Sequence, residues 1–353
     1  LDPAMAWDEL RSLIAGQVRT GDDTGMIPHM IYWTGGGMDL WGQDDRSIIT
    51  QPPLIAIAAL TIYESTGDIA PLREFYQPLC DYHDWFIRRR DPDHDHLVCL
   101  IHPWESGWDA SPRWDVPMGL SNPTDEQSKS ARHALVKNLR DADCDPKKLL
   151  AMGSFCVEPA DFNAIRCADL EALAKIAEII SADGSRWRDE ASAIARSMRE
   201  KLIRKTETGE LIVCDLNGQD ETPLQSDSAA QFVTLICGCP LVNQAQTLIQ
   251  RLQLPTFWTH YPIPTTPSDH PHFDPAHYWR GNVWMSVNWL IWRGLRRYEY
   301  HELAVQLAER SLMLVDKHGF HEYFNPITGD GYGPSAQSWT TLVLDMVRTE
   351  KLS

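Results

Sequence analysis

The sequence predicts an all-helical domain, and two observations carry this prediction. Apolar residues recur at helical spacing in roughly ten segments of the chain. Strand-like runs are few and short, at His96–His102, Glu210–Asp215 and Phe320–Phe324, which is too little for a main sheet. The helical segments include 4–17, 53–66, 70–89, 160–181, 186–203, 241–253, 282–298, 301–316 and 337–349.

A single domain is the expected organisation. The chain has 353 residues, of which 43% are hydrophobic, so it can bury a large core. No linker rich in Gly, Ser or Pro divides it, and no break in composition marks a second domain. We therefore expect one catalytic domain over residues 1–353. Because Leu1 lies inside an ongoing helical pattern, we also expect this domain to be incomplete at its N-terminus.

The charge excludes some classes of partner. A net charge of -17 repels phosphate backbones and anionic membrane surfaces, so neither nucleic acid nor a membrane is expected as a partner. The sequence has no run of 18 apolar residues and no signal-peptide pattern at its start. Its eight cysteines are scattered, several of them in apolar runs, which is typical of reduced thiols packed in a core. We expect a cytoplasmic protein that acts on a small molecule; the sequence leaves a homo-oligomer open.

Two short motifs could suggest a metal, and neither is predicted to bind one. Cys237-Gly-Cys239 lacks the spacer and the second cysteine pair of a zinc site. Asp91-Pro-Asp-His-Asp95 lacks the Gly and the distal Glu of an EF-hand loop, so a solvated turn is the expected structure there. No metal and no cofactor are predicted.

Long aromatic loops are the regions that predict function. The loops at 32–53, 102–123 and 257–281 exceed ordinary helix connections and are rich in Trp, Pro, Gly and His. The second begins His102-Pro-Trp-Glu-Ser-Gly-Trp-Asp-Ala-Ser-Pro-Arg-Trp-Asp115, where three Trp lie among charged groups. Indole faces stack on sugar rings while carboxylates bind hydroxyls, so a sugar site fits this mixture. A rigid, salt-bridged connector would have a similar composition.

Two further tracts add candidate ligands. Tyr278-Trp-Arg-Gly-Asn-Val-Trp284 precedes a buried helix, in which Trp289 and Trp292 are expected to pack in the core. Glu322 opens a short strand-like run flanked by aromatic residues, where partial desolvation would raise its pKa toward a useful range. A solvent-facing glutamate on an edge strand is the alternative.

These tracts resemble glycoside hydrolase family 63, in particular its bacterial branch of mannosylglycerate and glucosylglycerate hydrolases. The resemblance lies in Trp104-Glu-Ser-Gly-Trp-Asp-Ala-Ser-Pro-Arg-Trp114, in Tyr278-Trp-Arg-Gly281 with the Asn288–Leu295 tract, and in Glu322-Tyr-Phe-Asn-Pro-Ile-Thr-Gly329 before Ser338-Trp-Thr340. They occur in the family's order and span nearly the whole chain. The implied fold is an (α/α)6 barrel with short β segments in its loops, one that could lack its opening helices.

The resemblance also implies roles for residues. It identifies Asp109 as the general acid and Glu322 as the general base of an inverting hydrolase that cleaves a short α-glucoside or α-mannoside. Such a pair must lie about 6.5–9.5 Å apart to admit a water molecule. Arg113 is expected to brace the acid loop. The residues that match the family's sugar-binding wall are Trp104, Gly107, Gln51, Tyr278, Trp279, Arg280, Trp284 and Gln337.

The chain departs from the family at two points, and two other functions stay open. No Trp-Asp loop precedes residue 20, and Asn122 stands where the glycerate-type enzymes carry an Arg. A carbohydrate-binding barrel without catalysis is the first alternative. A sugar isomerase or epimerase is the second, which would use histidines such as His102, His272, His277 and His321.

Overall fold

The fold is built from α-helices in two layers. A computed structural model describes residues 2–224 and 227–352. Within these residues the α-helices are α1 (Pro3–Ala15), α2 (Met38–Trp41), α3 (Ile55–Thr66), α4 (Ala70–Arg89), α5 (Asp125–Asp141), α6 (Pro146–Ala151), α7 (Ala160–Ile179), α8 (Ser185–Ser197), α9 (Ala230–Val233), α10 (Val242–Leu252), α11 (Met285–Arg297), α12 (His301–His318) and α13 (Leu342–Glu350).

Successive helices alternate between an inner and an outer layer. The inner layer contains α3, α7, α9 and α11, which contact one another in that order through α9 and the 3-10 turn Thr234–Cys237. The outer helices α4, α8, α10 and α12 each pack on the inner helix that precedes them. Helix α7 is buried on nearly all sides, from Ala160 to Ala177. A helix buried all round belongs to the centre of a large core, so the architecture is an α/α barrel, as predicted.

Local sequence explains where the helices begin. Thr124 and Gln127 form a capping box at the start of α5, in which each side chain binds the backbone N–H of the other residue. The Asp145 side chain accepts from the Lys147 N–H at the start of α6, where Pro146 occupies the first helical position. Trp289 and Trp292 on α11 are 8% and 3% exposed, which confirms their predicted core packing.

The β structure is confined to three small antiparallel sheets. The strands are β1 (Val157–Glu158), β2 (Ile203–Lys205), β3 (Leu211–Val213), β4 (Asp215–Asn217), β5 (Thr222–Leu224), β6 (Tyr323–Phe324) and β7 (Gly331–Tyr332). They pair in the orders β1-β4-β5, β2-β3 and β6-β7. Two of the three predicted strand-like runs thus contain strands.

Two predictions are wrong in part. The run His96–His102 forms a single bridge, from Leu100 to Val157, and no strand. Its residues are fixed by other means, because Val98 N–H donates to the Asn163 side chain in α7. Asp91 is 6% exposed, so the predicted solvated turn at Asp91–Asp95 begins with a buried carboxylate.

The structure also describes the cysteines and the apolar character of the helices. All eight cysteines are buried and free of disulfide bonds, as expected of reduced thiols in a core. Among the residues with a described structure, no helix is both long enough and apolar enough to cross a membrane.

Candidate active site

The loop that carries Asp109 is held by buried polar contacts on its N-terminal side. Leu100 exchanges backbone hydrogen bonds of 2.7 and 3.0 Å with Val157 of β1. The fully buried Glu105 then pairs with Arg90 at 2.7 Å and accepts from the N–H groups of Thr50 and Ile101. A buried ion pair with several hydrogen bonds fixes the path of the chain, so the residues before Asp109 have a defined position.

Arg113 braces the same loop on its C-terminal side. Its guanidinium donates to both oxygens of Asp161, at 3.0 and 2.7 Å, and to both oxygens of Asp215, at 3.0 Å each. All three side chains are buried. The two carboxylates come from the first turn of α7 and from β4, so one cation joins the acid loop to two elements. This arrangement is the bracing role expected for Arg113.

Glu322 is positioned by the β6–β7 hairpin. Its N–H donates to the Tyr332 carbonyl at 3.1 Å, and its own carbonyl accepts from the Trp339 indole at 3.1 Å. On the other side of β6, Phe324 forms two backbone hydrogen bonds with Val283. This pairing brings the tract around Tyr278 beside the tract around Glu322, although 41 positions separate Val283 from Phe324 in the sequence.

Glu322 lies close enough to Asp109 for its charge to affect the protonation of Asp109. Burial raises the pKa of Asp109 to about 6; the Arg132 guanidinium opposes this shift, and the negative charge of Glu322 adds to it. Burial also raises the pKa of Glu322. The structure therefore brings together two carboxyl groups that stand 213 positions apart in the sequence. Paired carboxyl groups with unequal surroundings are what a proton donor and a proton acceptor require.

The phenol of Tyr278 lies in the field of both carboxyl groups. Burial and the negative charges of Asp109 and Glu322 raise the pKa of Tyr278 above its ordinary value, so the phenol is neutral. Its ring makes edge-to-face contacts with Trp284 and Tyr323, at centroid distances of 5.1 and 5.5 Å. Tyr278 thus stands near both carboxyl groups with a hydroxyl that can donate or accept a hydrogen bond.

An aromatic stack supports this region. Trp279 stacks on Trp284 with their ring centroids 3.6 Å apart and on Trp108 with the centroids 5.2 Å apart. Trp284 in turn stacks on Tyr323 at a centroid distance of 4.9 Å. Trp284 is 0% exposed and Trp279 is 4% exposed. Trp284, which was predicted to belong to the sugar-binding wall, therefore lies behind Trp279 and Tyr323 and has no exposed surface.

The remaining predicted wall residues divide into two groups. Trp104 is partly exposed, and its carbonyl accepts from the Gln51 side chain at 2.8 Å. Gly107 lies beside the same glutamine, whose Oε1 would be 3.5 Å from a β-carbon at 107. Arg280 is different, because it is buried and donates to both oxygens of Asp115 at 2.8 and 3.0 Å. Gln337 is partly buried, and its backbone N–H donates to the carbonyl of Phe320.

Arg132 is the site residue that sequence analysis missed. It lies on α5, a helix absent from the segments named above, and its guanidinium interacts electrostatically with Asp109, Arg280 and Asp125. It is 9% exposed and donates to Ser128 at 2.6 Å. The capping box Thr124-x-x-Gln127 could have revealed the helix from the sequence.

Acidic groups that could hold a metal ion lie elsewhere. Asp91, Asp93 and Asp95 form one such group, and Asp93, Glu158 and Glu221 form another. Asp109 and Glu322 belong to neither group of the described chain.

The chain is similar to known glycoside hydrolases over almost its whole length. A family model described as the mannosylglycerate hydrolase MGH1-like glycoside hydrolase domain matches residues 1–340. A mannosylglycerate hydrolase of Thermus thermophilus is 30% identical over 96% of this chain and 88% of that protein. A glucosylglycerate hydrolase of Mycolicibacterium hassiacum is also 30% identical, over 96% of this chain and 86% of that protein.

A solved structure supports the same relationship. A GH63 mannosylglycerate hydrolase from Thermus thermophilus, in complex with Tris, superposes with a TM-score of 0.89 at 28% identity, covering 99% of this chain and 89% of that one. The likeness confirms the predicted (α/α)6 barrel. The chain is therefore a glycoside hydrolase and belongs to family 63, in its mannosylglycerate hydrolase MGH1-like group.

Proposed function

We propose that this protein hydrolyses an α-linked glycosylglycerate with inversion, using Asp109 as general acid and Glu322 as general base. The observation that carries the proposal is the shared electrostatic environment of the two carboxyl groups, in which burial raises the pKa of Asp109 to about 6. A carboxyl group with that pKa is protonated in a useful fraction near neutral pH and can donate to a glycosidic oxygen.

The two carboxyl groups divide the reaction between them. Asp109 transfers its proton to the glycosidic oxygen as the C–O bond breaks, and the aglycone leaves as an alcohol. Glu322 accepts a proton from a water molecule, whose oxygen bonds to the anomeric carbon from the opposite face. Glu322 is the more exposed of the two to solvent, which suits a group that must be ionised and reach water.

The surroundings of Arg132 favour a substrate whose aglycone carries a carboxylate. Its guanidinium is buried and near Asp109, yet among the residues described here it forms no ion pair within 4.0 Å, and its Nε has no hydrogen-bond partner. A carboxylate that entered the site would supply this partner. Asn122, by contrast, carries no charge, and its Oδ1 lies 3.1 Å from Nδ1 of His272. The names of the relatives, mannosylglycerate and glucosylglycerate hydrolase, agree with this substrate class.

The contacts to the sugar divide into two layers in this proposal. Trp104, Gly107, Gln51, Tyr278 and Gln337 would contact the substrate. Trp279, Arg280 and Trp284 would hold that surface from behind, since all three are buried. A cytoplasmic location is part of the proposal, supported by eight free cysteines, which persist in reducing compartments.

A matched pair of substrates tests whether the enzyme prefers an aglycone that carries a carboxylate. Glucosylglycerate and glucosylglycerol differ only in a carboxylate that replaces a hydroxymethyl group, and mannosylglycerate and maltose complete the panel. The wild type should prefer the glycerates in kcat/KM, and Arg132→Met should remove most of that preference. Turnover of glucosylglycerol, with each enzyme measured at its own pH optimum, should stay similar. Asp109→Asn and Glu322→Gln should each lower kcat by about 100-fold or more on every substrate. Equal turnover of glycerate and glycerol substrates by the wild type would contradict the proposed substrate class.

A further inference from the structure

A group of three thiols lies away from the candidate active site. Cys167 lies on α7, Cys237 ends the 3-10 turn Thr234–Cys237, and Cys239 follows two residues later. The three residues are buried, at 1%, 2% and 0% exposure. Cys237 is in the middle, because its sulfur forms hydrogen bonds with the thiols of both other cysteines.

The two ends of α11 separate these thiols from the proposed acid and base. Trp284, which stacks on Tyr323 next to Glu322, immediately precedes this helix. Arg297, which contacts Gly238, is its last residue. The ends of a 13-residue helix lie about 20 Å apart. A reaction of the thiols would therefore be separate from glycoside hydrolysis.

Cys237 lies on the wall of a cavity that is rich in positive charge. The cavity has a volume of about 670 Å³. Two glutamates line it, against five basic side chains, which are Lys175, Arg188, Arg196, Arg199 and Arg297. This balance is the reverse of the net charge of the chain, which is -17. A molecule little larger than water can enter a cavity of this size and reach the sulfur.

The surroundings of Cys237 favour its thiolate. Hydrogen bonds from the thiols of Cys167 and Cys239 lower the pKa of Cys237 well below its ordinary value, although burial opposes this effect. The positive charge of Arg297 lowers the pKa further. The thiolate is the form of cysteine that reacts with oxidants.

Arg297 is fixed beside this thiol. Its guanidinium donates to both oxygens of Glu171, at 2.7 and 3.0 Å, and to the Ile236 carbonyl at 3.1 Å. A β-carbon at position 238 would lie 2.7 Å from Nε of Arg297. Glycine at this position therefore allows the guanidinium to approach the turn.

Gly238 also sets the distance between the two cysteines that flank it. Its φ of +62° and ψ of 16° are left-handed helical angles. Helical angles of either hand place the neighbouring Cα atoms about 5.4 Å apart, and a disulfide needs a Cα separation of about 4.4–6.8 Å. The Cys239 carbonyl is held by Arg199 at 3.1 Å. Cys237 and Cys239 can thus be joined with little movement of the backbone.

We propose that Cys237 is a thiol that reacts with hydrogen peroxide, and that Cys239 then forms a reversible disulfide with it. The Cys237 thiolate attacks one oxygen of the peroxide and the O–O bond breaks, which gives a sulfenic acid and hydroxide. The hydroxide takes up the proton that the thiol had lost. The Cys239 sulfur then attacks the sulfenic sulfur, the S–O bond breaks, and the oxygen leaves with the thiol proton as water. One peroxide is reduced to two water molecules while two thiols are oxidised to one disulfide.

A second pair of thiols offers a matched comparison in the same chain. Cys99 and Cys156 are hydrogen-bonded to each other, and both line a cavity with the acidic residues Asp93, Glu158 and Glu221. The hydrogen bond and burial raise the pKa of Cys99 well above its ordinary value. These surroundings disfavour a thiolate, so this pair should react more slowly.

Peroxide treatment of the full chain, followed by alkylation and peptide mapping by mass spectrometry, tests the proposal. Hydrogen peroxide should link Cys237 to Cys239, and dithiothreitol should reverse the link. The link should form at least about tenfold faster than Cys99 or Cys156 is oxidised. Cys239→Ser should trap Cys237 as a sulfenic acid that dimedone labels. Cys144→Ser, which removes a buried thiol outside the cluster, should leave the link unchanged.

Each outcome bears on the proposal. Equal oxidation rates for the two pairs would overturn it, as would the absence of a dimedone label on Cys237 in Cys239→Ser. A link between Cys237 and Cys167 in the wild type would overturn the role of Cys239. If circular dichroism shows that Cys239→Ser does not fold, Cys239→Ala is measured in its place and should trap the same sulfenic acid. None of these results depends on whether the proposed hydrolysis is correct.

Discussion

The carboxyl group of Glu322 packs against Gly333, which follows β7 in the same hairpin. A β-carbon at position 333 would lie 2.2 Å from Oε2 and 2.7 Å from the β-carbon of Glu322, and the glycine has a φ of +69°. Any other residue would both strain the backbone and displace the carboxyl group. The position of the proposed base therefore depends on a glycine that carries no chemistry itself.

Gly333→Ala should lower kcat by about tenfold or more, because the base must move away from its water. The variant should still fold, since a non-glycine residue at this positive φ costs about 1–3 kcal/mol. Gly209→Ala is the control: its φ is +85°, but nothing lies within 4 Å of the added carbon. It should lose similar stability and keep its activity. A fully active Gly333→Ala enzyme would show that Glu322 does not need this position.

The pH dependence of kcat/KM should be bell-shaped. As the proposed general acid, Asp109 must be protonated. Burial raises its pKa to about 6, so activity should fall as the pH rises through that value. As the proposed general base, Glu322 must be ionised, so activity should fall at lower pH as this carboxyl group is protonated. Initial rates across the pH range give both limbs, and a profile that is flat from pH 5 to 9 would exclude this pair of roles.

Arg132 should set the position of the alkaline limb. Its positive charge lowers the pKa of Asp109, against the effect of burial. Arg132→Met removes that charge, so the alkaline limb should move to higher pH. Arg132→Lys keeps the charge and should leave the limb closer to its original position. Glucosylglycerol has no carboxylate to pair with Arg132, so a shift measured on this substrate does not reflect a lost contact with the aglycone. A limb that moves to lower pH in Arg132→Met would contradict the proposed electrostatics.

Removing Arg113 should destabilise the fold strongly. Arg113→Met leaves Asp161 and Asp215 buried without a partner, and breaking such a pair costs about 3–5 kcal/mol. The comparison is Lys175→Met, which breaks an exposed pair with Glu64 and should cost less than about 1 kcal/mol. Urea unfolding measures both changes. Equal losses for the two variants would mean that Arg113 does not brace the acid loop.

The sequence predicted what is periodic or carried by a motif. The helical patterns at 70–89 and 301–316 became α4 (Ala70–Arg89) and α12 (His301–His318) because each has one apolar face toward the core. Helix α5 was not predicted because most of its residues are polar, and Arg132, which lies on it, was therefore not predicted as a site residue. The sequence also did not predict which residues are buried by contacts formed in the fold. Trp284 is covered by Trp279 and Tyr323. The Asp91 carboxylate accepts hydrogen bonds from the N–H groups of Asp95 and His96. Local patterns do not encode such contacts.

The stereochemistry of the first product tests the central claim most directly. Proton NMR during the first turnovers of α-glucosylglycerate or α-mannosylglycerate shows which anomer of the sugar appears before mutarotation. Attack by a water molecule that Glu322 activates on the face opposite Asp109 predicts the β-anomer. Initial release of the α-anomer would mean retention of configuration and would contradict the assignment of Asp109 and Glu322 as acid and base of an inverting hydrolase.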